Sequence, residues 1–196
     1  MPAHVINEVL LHDIKLSDCA QYLFDKNGAL SFEVLVPLPI NLWRGGCGRR
    51  LLEVFVGNTL DAARDMWGTK WNACGNPFAG EVPGGTVLRF KTAWNPPRGW
   101  ICALFNTLAC DITSHWLCEG ERFVHVETYK QVGAWDEPTW EESILGPDSA
   151  EYLSLYGLLF NGLPPFFDEE DWVEEESVEG EGIEDVDETA LEATPS

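Results

Sequence analysis

The charge of this chain is divided sharply along its length, and that division limits what can fold. All twelve Lys and Arg residues lie between Lys15 and Lys130. Residues 1–130 hold thirteen Asp and Glu and so carry a net −1, whereas residues 131–196 hold the other twenty acids and no base, a net −20. Asp168–Ser196 alone contains fourteen acids and few apolar side chains. Burial in such a segment cannot offset its ordering entropy, and it is expected to be disordered by itself. A nearly neutral body followed by an acidic arm is the organisation the charge implies.

The body has the means to build a core. The 196 residues include nine Trp, a side chain large enough to dominate a core or an interface. The six Cys, at 19, 47, 74, 102, 110 and 118, form no C-x-x-C and no zinc-finger spacing with His. Reduced thiols in a cytosolic protein are the simplest expectation. No charged and apolar leader opens the chain, no apolar run reaches the roughly 18 residues of a membrane span, and no solenoid-type repeat is present.

Local patterns supply the elements. His4–His12 is apolar and β-branched and reads as a strand. Ser17 opens a helix whose Ala20, Leu23 and Phe24 share a face, stopped by Asn27-Gly28. In "LSFEVLVPLP", Leu30, Phe32, Val34 and Val36 alternate, which predicts a strand ended by Pro37 and Pro39. Asn58 or Thr59 caps a helix through Met66 that Gly68 ends. Trp71 begins a strand, Pro83-Gly84-Gly85 turns, and "TVLRFKTAW" is the next strand. Pro96-Pro97 starts a helix with Ile101, Leu104, Phe105 and Leu108 on one face. A hairpin follows about Glu119-Gly120-Glu121, with Phe123, His125, Glu127 and Tyr129 on one face of its second arm. "SAEYLSLYGLLF" can form a short amphipathic helix. Two strand–helix units of this kind predict an α+β, ferredoxin-like antiparallel sheet with helices packed on one face. The expected divisions are a body at 1–133, a short helical or loop extension at 134–167, and the acidic, largely disordered tail at 168–196.

Five segments, "MPAHVINEVLL", "LSFEVLVPLP", "DAARDMWGTKWNA", "FKTAWNPP" and the Tyr129-to-Gly133 "Y-x-x-x-G", occur in that order. Together they resemble the YubB-type ferredoxin-like proteins of phages and plasmids, over residues 1 to about 133. "WGTKW" followed by "F-x-T-A-W-x-P-P" is the specific part. The resemblance implies a ferredoxin-like fold and a mobile-element origin, and no defined reaction. The Arg/Gly-rich insertion near Trp43–Arg50 and the long acidic tail depart from that pattern.

Four candidate sites emerge. Trp67, Lys70 and Trp71, answered by Lys91, Thr92 and Trp94, could form an aromatic, basic pocket for an anionic or planar ligand such as a nucleotide. The competing reading, preferred for a chain so rich in Trp, makes the Trp rings core anchors that pin neighbouring strands, with lysine stems lying alongside. Phe123, Tyr129 and Trp116, if exposed on the sheet, would suit base stacking. Against direct nucleic-acid binding, the body is neutral apart from Arg44, Arg49 and Arg50, and the arm repels polyanions. His115 and His125, if they face each other near Cys118, could make a nucleophile and base. No orienting motif surrounds them, so no catalytic residues are assigned. Glu119, Glu121 and Glu127 read as solvated hairpin residues rather than metal ligands, and neither metal nor cofactor is expected. Last, Phe166, Phe167 and Trp172 interleave with Asp168, Glu169, Glu170 and Asp171, a composition that can fold onto a basic, apolar-lined partner groove or serve only to solubilise.

These readings point to a non-enzymatic accessory protein of a phage or plasmid, in the bacterial host cytoplasm. Its expected partner is a host protein with a basic surface, and anti-defence inhibition at a nucleic-acid-binding site is the specific expectation. A small-ligand or nucleotide binder, and a nucleic-acid binder inhibited by its own tail, are the alternatives.

Overall fold

The computed structural model describes residues 3–40, 42, 57–130 and 139–164. Its elements are, in order, strand β1 (His4–His12), helix α1 (Leu16–Leu23), helix α2 (Thr59–Trp67), strands β2 (Cys74–Val82) and β3 (Gly85–Ala93), helix α3 (Arg98–Leu108), strands β4 (Ile112–Cys118), β5 (Val124–Lys130) and β6 (Thr139–Leu145), and helix α4 (Ala150–Phe160). They belong to one compact unit, Met1–Pro164. The strands form a single antiparallel sheet in the order β2-β3-β1-β4-β5-β6. Its first four strands, with α1 and α3 as connections, have the βαββαβ ferredoxin-like order, and β5 and β6 widen the sheet beyond β4.

Strand β1 is central, between β3 and β4, and is buried on both faces through Val5, Ile6, Asn7, Val9 and Leu11. That is why its sequence is nearly continuous in apolar residues instead of alternating. Helices α1, α2 and α3 cover one face, with Leu23, Trp67, Trp100 and Leu104 packed on Val9, Leu88, Phe90 and Ile112. Helix α4, from the extension, covers part of the opposite face, placing Tyr152, Leu155 and Leu159 on Ile6, Leu117 and Val124.

Local signals explain the helix ends. Asn58 Oδ1 accepts from the Leu60 and Asp61 N–H groups, each at 3.0 Å, and caps α2. Gly68 ends it at φ +89°, and a Cβ there would lie 3.0 Å from the Arg98 nitrogen. Helix α1 begins one residue before Ser17 and has no side-chain cap.

The predicted strand at 30–36 does not form. Leu30 makes an isolated bridge to Phe24, and Phe32–Val34 is a single 3-10 turn. The alternation reflects burial against the helix layer rather than sheet pairing. Phe32 is fully buried, with its ring 5.6 Å from Trp67, 5.4 Å from Phe90 and 4.7 Å from Trp100. Its N–H donates to Asn72 Oδ1 at 2.8 Å, and Val36 O accepts from Trp67 Nε1 at 2.8 Å. Side chains thus satisfy backbone groups that a ladder would otherwise occupy. Two further differences appear: β2 starts at Cys74 rather than Trp71, and the extension supplies an unexpected strand, β6, as well as its expected helix. The Trp43–Arg50 insertion, with Arg44, Arg49 and Arg50, and the tail with Phe166, Phe167, Asp168, Glu169, Glu170, Asp171 and Trp172 lie outside the described residues.

Phe32 joins three other aromatic side chains into one cluster, so Phe32→Ala should destabilise the protein by about 3–5 kcal/mol. Urea denaturation followed by tryptophan fluorescence measures this. A loss below about 1 kcal/mol would mean that the segment 30–36 is peripheral.

Candidate functional site

The two tryptophan–lysine segments meet at the end of α2 and the end of β3. Thr69 Oγ1 donates to Ala93 O at 3.0 Å and ties them together. Lys70 Nζ sits 3.8 Å from the centre of the Trp94 ring, a cation–π contact. Trp94 stands at φ +71° with about half its surface exposed. Trp67 is a buried anchor, and Trp71 tilts against the His4 ring at 5.9 Å. Trp67, Lys70 and Trp71 line a cavity of about 530 Å³, with Leu38, Thr59 and Asn72.

The remaining members of the expected pocket go elsewhere. Thr92 is fully buried, donating to Asn95 O at 2.8 Å and accepting from Asn7 Nδ2 at 3.0 Å. Lys91, its neighbour in β3, points to the other face of the sheet, where Nζ donates to Leu159 O of α4 at 3.0 Å. There it borders two further cavities of about 180 and 400 Å³. A bulge in β2 between Cys74 and Phe78 makes room for it. Gly75 stands at φ +70°, and a Cβ there would fall 2.8 Å from the Lys91 stem. The larger cavity also presents His4, Glu119 and Cys74. Glu119 accepts from the His4 backbone N–H at 3.0 Å and lies 3.2 Å from His4 Nδ1; both interactions lower its pKa. Burial raises the Cys74 thiol, with only partial compensation from Lys91, which disfavours a thiolate nucleophile there.

The most organised polar cluster lies where no motif marked it. Glu127 has no exposed surface. Its Oε1 accepts from Arg98 Nε at 2.7 Å and Trp116 Nε1 at 2.9 Å, and its Oε2 accepts from Tyr129 OH at 2.8 Å. A buried carboxylate is tolerable when charge and hydrogen bonds are matched in this way. Burial opposes the charge on Arg98, but Glu127 outweighs it and raises the arginine pKa. Arg98 Nη2 also lies 3.5 Å from Glu142 Oε1 of β6, and that same oxygen is 3.1 Å from His125 Nδ1. His125 stacks flat on Trp116 at 3.7 Å, and the Arg98 guanidinium lies 5.8 Å from the Trp116 and Trp140 rings.

This cluster corrects several expectations. Glu127 is not a solvated hairpin residue, because its strand face turns toward α3. Tyr129 and Trp116 are buried for the same reason and cannot stack bases. His115 and His125 do not face each other: His115 is opposite Val126, and His125 is opposite Trp116, so the two rings leave opposite faces. An acid within an otherwise aromatic strand face, Phe123 to Tyr129, is the signal that could have marked Glu127. Among the described residues, no group of three or more His, Cys, Asp or Glu is placed to hold a metal ion, and no helix is long and apolar enough to cross a membrane. Compared with family models, curated proteins and solved structures, the chain matches none.

Removing the Arg98 charge strands Glu127, so Arg98→Met should cost about 3 kcal/mol in denaturation experiments. Adding Glu127→Gln should recover at least about 1 kcal/mol of that loss. Simple additivity would show that the two side chains are not coupled.

A second carboxylate, Glu8, gives a pH signature. His115, with Nδ1 3.8 Å away, is the largest influence lowering its pKa below the ordinary 4.5, followed by the Arg89 contact, while burial opposes both. Because the folded-state pKa is the lower one, the stability from Glu8 is complete above about pH 4.5 and is lost as pH falls through the folded value. Glu8→Gln should therefore lose less stability than wild type between about pH 7 and pH 3 in parallel urea titrations.

Proposed function

We propose that this protein is a non-enzymatic binding protein whose acidic arm engages a basic surface on another protein. The observation that carries this is the charge partition: a net −14 over residues 165–196, with no base, against a net −7 for residues 1–164. The body's own contacts support it. Arg64 pairs with Asp61, Arg89 with Glu8, and Arg98 with Glu127 and Glu142. Lys70 faces Trp94, and Lys91 holds the α4 carbonyl. With these five cations already engaged, the body cannot neutralise fourteen arm carboxylates from its twelve bases. The matching charge must come from a partner or from counterions.

The resemblance to YubB-type proteins makes the partner a host factor of a bacterial cell carrying a phage or plasmid. A host factor that uses a basic surface to hold DNA or RNA is the natural target, and occupying that surface would inhibit it. A second reading, a small anionic or planar ligand, is favoured by the cavity of about 530 Å³ at Trp67, Lys70 and Trp71.

Pull-down from bacterial extract with mass spectrometry, followed by titration of the recovered partner, tests the first reading. Deleting residues 168–196 should leave the body folded by circular dichroism and weaken binding at least about tenfold, as should raising salt from roughly 50 to 300 mM. Equal affinity of the truncated protein would remove the arm from the function. A thermal-shift screen of nucleotides against wild type and Trp94→Ala separates the ligand reading.

A further inference from the structure

The two edges of the sheet are built differently. Strand β2 is interrupted by its bulge, by Gly75 and Asn76 at positive φ, and by Pro77, which has no N–H to offer. Such features hinder another strand from pairing along residues 74–77. Strand β6, "TWEESIL", has none of them. It pairs with β5 in seven consecutive positions without a register shift, and residues 140–144 are all exposed. Among the described residues, nothing pairs with its outer edge. Trp140 and Ile144 are both more than half exposed and share one strand face with Glu142, while Glu141 and Ser143 share the other.

An open, regular edge bearing exposed apolar side chains is a template for strand addition. A second copy of this chain fits it poorly. The antiparallel register that overlaps all seven residues sets Glu142 against its own copy, between two chains that each carry a net −21. A segment with the opposite charge fits well. Glu142 is already engaged by Arg98 and His125, whereas Glu141 makes no ion pair among the described residues and is exposed. A cation opposite Glu141 and apolar side chains opposite Trp140 and Ile144 fall on alternate faces of one added strand.

We infer that β6 is a docking edge for an extended partner segment in which apolar and basic residues alternate. This rests on the acidic-arm reading for the sign of the partner's charge and adds the place and form of its attachment. The ladder would supply backbone hydrogen bonds, while Trp140 and Ile144 would select apolar neighbours.

The test uses the full-length protein and a blocked heptapeptide probe, acetyl-KVKVKVK-amide. Two control peptides carry N-methyl groups at all valines or all internal lysines, keeping charge while removing ladder donors. The probe should slow amide exchange across residues 139–145, as read by NMR. At least one methylated peptide should bind about tenfold or more weakly, and Glu141→Lys should weaken the parent peptide. If all three peptides bind equally with β6 exchange unchanged, strand addition is overturned and the acidic-arm reading stands. Failure of every peptide to bind at low salt overturns both. Slowed β6 exchange accompanied by self-association without peptide assigns the edge to a second copy and overturns the inference.

Discussion

A carboxylate with no exposed surface requires compensation, and meeting that requirement organises one side of this molecule. Glu127 is held by Arg98, Trp116 and Tyr129, which come from the first turn of α3 and from two neighbouring strands. Arg98 then continues to Glu142 on β6. The same interaction thus docks α3 on the sheet and attaches the outermost strand to the ferredoxin-like core. Pairs of this kind add little net stability compared with apolar packing, yet their disruption is costly. Their value here is geometric, because alternative registers of β5 or β6 would leave the charge unmatched.

Much of the architecture was legible because its signals are local. The apolar run of β1, the Asn58 cap and Gly68 stop of α2, the Pro-Pro start of α3 and the Glu119-Gly120-Glu121 hairpin each depend on a few adjacent residues. The failures share a different cause. Phe32 and its neighbours alternate like a strand, but their burial comes from Trp67 and Trp100, far along the chain. Strand β2 was expected from Trp71 and begins at Cys74, and its Gly, Asn and Pro are tolerated because it lies at an edge. Strand β6 carries Glu141 and Glu142 on its two faces, one of them between Trp140 and Ile144, and so does not resemble a buried strand. Glu127 looked solvated because Arg98, which neutralises it, lies 29 residues earlier in sequence.

The tryptophan–lysine segments show how one motif can divide its labour. Thr69 and Thr92 fasten backbone, Trp67 fills the core, and Lys70 rests on Trp94. Period-2 geometry sends Lys91 through to the opposite side of the sheet, where it meets the end of α4. Trp67, Lys70 and Trp71 border a common cavity, whereas Lys91 lies on the opposite face and Thr92 is buried, so sequence proximity overstated how many of these groups act together.

The unlike borders of the sheet also constrain assembly. A sheet that accepts neighbours at both margins can extend without limit, as fibrils do. Here the kinked, proline-bearing start of β2 hinders growth on one side, whereas β6 is, among the described residues, a regular border on the other. Two copies joined at β6 would present only their β2 borders, so that pairing would not seed a polymer.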